Sequence, residues 1–337
     1  MVTSLAYVVG GLLLLLVSGD ILVRGSVSLA KRLRIPALFI GLTIVAFGTS
    51  APELVVGVQS ALNGPEAIGI AVGNVVGSNI ANVLLVLGVP ALFYPILTDQ
   101  PMIRRNALMM VTATVLFVYF CIDGQITMIE GFSLFGLIVA YLFYSALRAS
   151  RASAEDFTPE EVEEVEQMTG LPKSGFMIGC FILTACIGLP VGAYFCVNGA
   201  EDLALRMGVA PSIIGVTVIA LGTSLPELAT SVLAAIHRHS AMAIGNVIGS
   251  NIFNILAVMG VTSMVATPLT GAAIPVEDSF LNFDLWVMLG TALVILAFAF
   301  AKGRVGRFYG IVFLLAYIAF ITIVFQSGGA LMGHLTL

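Results

Sequence analysis

Of 337 residues, 59% are hydrophobic and only 10% charged, with a mean hydropathy of +1.08 and a formal net charge of −5, whereas a soluble domain carries roughly 25% charged residues. This excludes a water-soluble globule and a disordered chain, and fourteen Lys and Arg scattered between apolar runs cannot form a nucleic-acid surface. What remains is a polytopic membrane protein with room for about ten helical spans of roughly 20 residues.

In chain order, apolar runs fall at about 4–23, 36–62, 67–94, 106–122, 126–147, 175–197, 209–236, 240–266, 284–301 and 307–326. They are too long and too evenly apolar for barrel strands, so the fold class is an all-α polytopic membrane protein with ten transmembrane helices. The first run lacks a basic leader and a small-residue cleavage site, and is expected to be retained as a span. The four cysteines (Cys121, Cys180, Cys186, Cys196) lie inside apolar runs without a CxxC or Cys/His spacing and are expected to be small buried hydrophobes.

The basic residues set an orientation. Connections one, three, five, seven and nine hold thirteen of the fourteen (Arg24, Lys31, Arg32, Arg34, Arg104, Arg105, Arg148, Arg151, Lys173, Arg238, Lys302, Arg304, Arg307), and the even connections hold Arg206 alone. The odd connections are therefore expected to be cytoplasmic and both termini extracytoplasmic, in the cell membrane. The long polar connection 148–174 carries seven acids (Glu155, Asp156, Glu160, Glu161, Glu163, Glu164, Glu166). It is expected to be a solvated cytoplasmic linker, with a short helix begun by Thr158, Pro159 and Glu161.

An internal repeat organises the chain. GLTIVAFGTSAPEL at 41–54 matches GVTVIALGTSLPEL at 215–228 in nine of fourteen positions, and GNVVGSNIAN at 73–82 matches GNVIGSNIFN at 245–254 in eight of ten. The chain thus divides into a first five-helix half (1–147, signature 41–82), the linker 148–174, and a second five-helix half (175–337, signature 215–254). Five is odd, so the halves enter the membrane from opposite sides. Inverted repeats with broken helices near the midplane are an architecture of secondary transporters.

The repeats hold two acids deep within apolar spans, Glu53 and Glu227. A carboxylate there costs several kcal/mol and needs a partner. No Lys or Arg lies at that depth, so the expected partner is a cation from outside the protein. Pro52 and Pro226 cannot donate to the carbonyls of Gly48 and Gly222, and these glycines weaken the helix further, so each helix should break at GTS-x-PE. Carbonyls of Ala46, Thr49, Ala220 and Thr223 then become candidates to line a cavity. Ser50 and Ser224 add hydroxyls, and Ser78 with Asn82 and Ser250 with Asn254 share helical faces at i,i+4. Asn74, Asn79, Asn246 and Asn251 read as interhelical glue. Gly73, Gly77, Gly245 and Gly249 form GxxxG pairs for close helix contact. The donor set is all oxygen and suits a hard cation such as Ca²⁺, with Mg²⁺ less suited and Zn²⁺ or Cu wanting His or Cys. His237, His239 and His334 fall in loops or at the terminus.

These segments resemble the alpha repeats of the cation/calcium exchanger superfamily, and the nearest branch is similar to the prokaryotic sodium/calcium exchangers. The resemblance spans essentially the whole chain. It implies that Glu53 and Glu227 bind Ca²⁺ centrally, that Thr49, Ser50, Ser78, Ala46, Ala220, Thr223, Ser224 and Ser250 complete flanking Na⁺ sites, and that Asn82 and Asn254 line the middle position. Many members carry an acid at the place of Asn254, and potassium-dependent relatives use acids in this region; the amides here argue against potassium dependence. The expected activity is Na⁺/Ca²⁺ antiport by alternating access, electrogenic and directed to Ca²⁺ efflux, with the first and sixth spans rocking. A Ca²⁺/H⁺ antiporter using the same glutamates is the alternative. A channel fits less well because of the inverted broken helices, and an intramembrane enzyme because no nucleophile–base pair or metal-ligand His/Cys set lies within the spans. No cofactor and no obligate protein partner are expected; Na⁺ and Ca²⁺ are substrates and the lipid bilayer is the surroundings.

Overall fold

The computed structural model describes residues 1–33, 35–64, 69–149, 170–207, 220–301 and 303–334. The expected linker helix and the start of the seventh apolar run lie outside the described residues. The described chain is almost entirely helical: α1 (Val2–Leu33), α2 (Ala37–Thr49), α3 (Ala51–Leu62), α4 (Gly69–Phe93), α5 (Pro101–Cys121), α6 (Met128–Ala149), α7 (Gly175–Arg206), α8 (Ala220–Thr223), α9 (Leu225–Ile236), α10 (Ser240–Thr270), α11 (Phe280–Phe300) and α12 (Arg307–His334). Eight of these are long and apolar enough to cross a membrane, and α2 with α3, bent by 42°, make a ninth if taken as one broken span.

The break falls where proline chemistry puts it. Ser50 leaves the helical region (φ −86°, ψ 9°) and Pro52 sits in the first turn of α3, where its missing N–H costs nothing. Ser224 repeats this at the start of α9 (φ −86°, ψ 2°), with Pro226 in the same place. Gly48 and Gly222 have a second role beyond weakening the helix. A Cβ on Gly48 would lie 2.8 Å from Cys186 Sγ, and one on Gly222 would run into Val197, both on α7.

Two helices outrun their apolar runs. In α1, Asp20 pairs with Arg24 (2.6 Å), and in α7, Asp202 pairs with Arg206 (2.8 Å), each at i,i+4. Pairing offsets the charge on the helix surface, so the helix continues where composition alone suggested an end. These two helices pack against each other along their length. Gly11 meets the backbone of Gly192 and Cys196, Gly199 meets Ser4 and Val8, and Ser4 hydrogen-bonds to Asp202.

The centre of the molecule is α10, in which every residue from Ser240 to Gly260 is buried. A helix apolar on all sides belongs in such a position. Gly245 and Gly249 let α10 reach α2: a Cβ there would lie 2.8 Å from the Leu38 carbonyl oxygen and 2.6 Å from that of Leu42. The companion pair behaves differently. Gly73 faces the Phe280 ring and Gly77 has nothing within 4 Å. Outer faces of α1, α7 and α12 expose Leu12, Leu13, Leu16, Leu183, Ile187, Leu315 and Ile318, as lipid contact requires. All four cysteines are free; Cys121 and Cys196 are buried and Cys186 half-buried, but Cys180 is exposed on α7, contrary to the expectation that all four are buried.

Two short antiparallel ribbons join the ends of the helices. β1 (Ile96–Leu97) pairs with β4 (Arg304–Val305), Ile96 opposite Val305. β2 (Gln125–Ile126) pairs with β3 (Ile274–Pro275), Ile126 opposite Ile274. Each ribbon takes one strand from either side of the 148–174 connection.

Candidate ion-binding site

Glu53 opens α3 and Glu227 opens α9, one residue beyond each proline, and both are fully buried. Their carboxyl groups lie within electrostatic reach of each other. Neither has a Lys or Arg partner among the described residues. Ser50 Oγ donates to Glu227 Oε1 at 2.9 Å, crossing from one repeat to the other. Ser78 Oγ lies 3.5 Å from both Glu53 Oε1 and Thr223 Oγ1.

The surrounding amides bond in reciprocal pairs. Asn74 Nδ2 donates to the Glu53 carbonyl and Asn246 Nδ2 to the Glu227 carbonyl, each at 3.4 Å. Asn74 Oδ1 accepts from Thr223 (3.4 Å) and Asn246 Oδ1 accepts from Thr49 (3.3 Å). Where α4 crosses α10, Asn79 Nδ2 donates to the Asn251 carbonyl and Asn251 Nδ2 to the Asn79 carbonyl, both at 3.3 Å. Asn82 Nδ2 then donates to Asn251 Oδ1 (3.0 Å) and Asn254 Nδ2 to Asn79 Oδ1 (3.2 Å). The glue residues and the ligand residues expected from sequence are thus one network. The glue amides hold the NH₂ ends of Asn82 and Asn254, so the amide oxygens are left aimed elsewhere.

Six buried oxygens in this cluster have no hydrogen-bond partner: Glu53 Oε2, Glu227 Oε2, Asn82 Oδ1, Asn254 Oδ1, Ser224 Oγ and Ser250 Oγ. They are half of the twelve unpartnered buried side-chain nitrogens and oxygens among the described residues. Each unpaired buried polar atom costs about 1–3 kcal/mol, and oxygens of these types are the ligands that hard cations take. Thr49 and Thr223 face the same cluster through the bonds just given. The Ala46 carbonyl departs from expectation: it accepts from the Ser50 N–H (2.9 Å) and Thr49 Oγ1 (3.3 Å), so helix continuity already engages it. Ala220 opens α8 one turn before the Ser224 break. A cavity of about 380 Å³ reaches Asn74, Ser78 and Thr223 and is lined at its far end by Glu277, Asp284 and Tyr317.

The family model described as sodium/calcium exchanger protein matches residues 3–147 and 177–326. The chain belongs to the sodium/calcium exchanger family. It is 33% identical to the sodium/calcium exchanger MaX1 of Methanosarcina acetivorans, over 94% of this chain and 96% of that one. It is 36% identical to the inner membrane protein YrbG of Escherichia coli, over 79% and 81% of the two chains. Among solved structures, the sodium-calcium exchanger NCX_Mj superposes with a TM-score of 0.80 at 32% identity, covering 96% of this chain and 98% of that one. This family member is therefore a multi-pass membrane transporter and not an enzyme, and cations are its substrates and not its cofactors.

Some features of the exchanger were not foreseen from its sequence. Asn82–Val86 and Asn254–Val258 are π-helical, each widened turn starting on the asparagine whose oxygen is unpartnered. π-turns recur at functional sites, but NVLLV and NILAV carry no local sign of one. Thr230 and Ser231 support Asn246 Nδ2 at 3.1 and 3.0 Å. Asp20 bridges Arg24 and His237 Nε2 (2.7 Å), tying α1 to the end of α9. The D-x-x-x-R spacing shared by Asp20–Arg24 and Asp202–Arg206 is the sequence signal that could have pointed to these i,i+4 pairs.

Proposed function

We propose that this exchanger carries out Na⁺/Ca²⁺ antiport at one shared site, with Glu53 and Glu227 as the central ligands. Asn82, Asn254, Ser78, Ser250, Ser50, Ser224, Thr49 and Thr223 complete the site, with the Ala46 and Ala220 backbones at its edges. The observation that carries the reading is the set of six unpartnered buried oxygens, two from the first repeat and four from the second, which includes one oxygen of each carboxyl group, with no basic partner among the described residues. Two carboxylates give the site a charge of about −2, which one Ca²⁺ neutralises. Hydroxyl and amide oxygens in such number favour Na⁺ over H⁺ as the competing ion, since a proton needs only one carboxylate oxygen.

The topology that we infer is ten spans in two inverted halves, 1–147 and 175–337, joined by 148–174. The ribbons support it by parity. β1 and β4 lie in connections three and nine, separated by six spans. β2 and β3 lie in connections four and eight, separated by four. An even number of crossings returns the chain to the same side, as pairing demands. The odd connections carry the basic residues and face the cytoplasm; both termini face out. The cavity beside Glu277 then gives the site its extracytoplasmic access, and α1 with α7 form the rigid pair that changes sides.

If three Na⁺ replace one Ca²⁺, each cycle moves one net charge, worth roughly 2.3 kcal/mol per 100 mV, and the Na⁺ gradient drives Ca²⁺ out. The test is ⁴⁵Ca²⁺ uptake into Na⁺-loaded proteoliposomes, under Na⁺, K⁺ and pH gradients and with clamped voltage. Uptake that needs internal Na⁺ and follows voltage is expected. Uptake driven by pH alone would establish proton antiport instead, and robust uptake by both Glu53→Gln and Glu227→Gln would remove the site.

A further inference from the structure

Far from the ion site, the last turns of α1 and the entry to α7 enclose a second pocket. It is open to the surface, about 780 Å³ in volume, and lined by Ser28, Lys31, Arg32, Lys173, Leu171 and Ile178. None of Lys31, Arg32 and Lys173 has an ion-pair partner among the described residues. The Arg32 guanidinium lies over Gly175 at the N-terminus of α7; a Cβ there would be 3.3 Å from Arg32 Cζ. Gly170 closes the wall in a left-handed conformation (φ +75°), and a Cβ on it would lie 2.6 Å from Arg24 Nη1. Ser28 is only 5% exposed, and its Oγ has no hydrogen-bond partner. The pocket therefore gathers three unpaired cations, a buried hydroxyl with a free donor, and the first turn of a long helix.

That set recognises an anion with several acceptor oxygens. A carboxylate would use the guanidinium but leave the two ammonium groups unserved, whereas a phosphate offers an oxygen to each. The pocket also lies at the end of α1 and the start of α7, two helices long and apolar enough to cross a membrane, and the ends of such spans reach the headgroup region. Basic pockets between helices at that level hold anionic headgroups. We propose that the Ser28–Lys31–Arg32–Lys173 pocket binds the phosphate of an anionic phospholipid headgroup. The bound headgroup ties the ends of α1 and α7 to each other and to the leaflet.

The test uses the full-length protein purified in a neutral detergent. Its thermal unfolding is followed while dihexanoylphosphatidylglycerol, dihexanoylphosphatidylcholine or inorganic phosphate is titrated. The expected result is a saturable rise in Tm with the phosphatidylglycerol and little with the phosphatidylcholine. Changing Lys31, Arg32 and Lys173 together to Gln should weaken the apparent affinity by about tenfold or more. Ser28→Ala should weaken it less, and Arg148→Gln, a basic residue elsewhere, should leave it unchanged. Retained Na⁺/Ca²⁺ exchange by the triple variant in phosphatidylcholine vesicles establishes that it is folded. An equal response to inorganic phosphate would identify free phosphate as the ligand and overturn the lipid assignment. So would an unaltered response in the triple variant, or no response at all, including in a chain whose seven linker acids are changed to amides.

Discussion

Replacing Glu53 by Gln removes one charge from a buried pair while preserving size. The magnitude follows from the charge of the ion. Two unit charges 4 Å apart interact by about 4 kcal/mol at an effective dielectric constant near 20. A monovalent ion therefore loses about 4 kcal/mol of attraction per bound ion, and a divalent ion about 8. Removal of the carboxylate's own burial cost is common to both cases and cancels in their ratio. What survives is a difference of about 4 kcal/mol, close to a thousandfold change in the ratio of Ca²⁺ to Na⁺ dissociation constants. The assay is ⁴⁵Ca²⁺ binding to purified protein by scintillation proximity, with Na⁺ displacement titrated in wild type and variant. Glu53 has no protein cation and one oxygen without a partner, so the charge of the ion should dominate. A selectivity shift below tenfold would refute the electrostatic account, whether or not both affinities fell.

Other outcomes follow from the same geometry. Ser250→Ala removes an unpartnered buried hydroxyl; the variant should unfold at an equal or higher temperature without ions, yet gain less stability from saturating Ca²⁺, as scanning fluorimetry would read. Asn251→Ala strips Asn82 Nδ2 of its acceptor; it should cost about 1–3 kcal/mol of stability and weaken Ca²⁺ binding, although Asn251 itself offers the ion no free oxygen. Gly249→Ala forces a methyl to 2.6 Å from the Leu42 carbonyl and should destabilise by about 1–3 kcal/mol. Gly290→Ala, with nothing within 4 Å, should be neutral or gain up to about 1 kcal/mol; thermal unfolding of both variants decides. A double-mutant cycle of Asp20→Asn and His237→Gln should give a coupling of about 0.2–1 kcal/mol, the range for a partly exposed pair.

Much of this arrangement was legible beforehand because it rests on residues with strong local rules. Pro52 and Pro226 suit the first turn of a helix, and the breaks lie just before them at Ser50 and Ser224. Glu53 and Glu227 advertise a site because burial of a charge has few structural excuses. The network around them was harder to read. Whether Asn79 or Asn82 offers its oxygen outward depends on which amide of α10 stands opposite, and helical spacing cannot supply that. The widened turns at Asn82 and Asn254 start beside the crossing of α4 and α10, and their own residues carry no local sign of them. Composition also misjudged the ends of α1 and α7, because a hydropathy run counts Asp20 and Arg24 as two charges when the helix surface holds them as one pair. The Ala46 carbonyl already takes two protein donors, because the break starts one residue too late to release it.

The exchange of amides between α4 and α10 makes the two lengths of chain mutually dependent. Asn82 takes its orientation from Asn251, and Asn254 from Asn79, so a lone N-terminal portion would carry misaimed ligands even if it inserted correctly. Newly synthesised exchanger should therefore acquire ion affinity in a single late event, when its eighth apolar run docks beside its third. Portions severed between Arg148 and Gly170 and made together should recover transport only by threading those asparagines past one another.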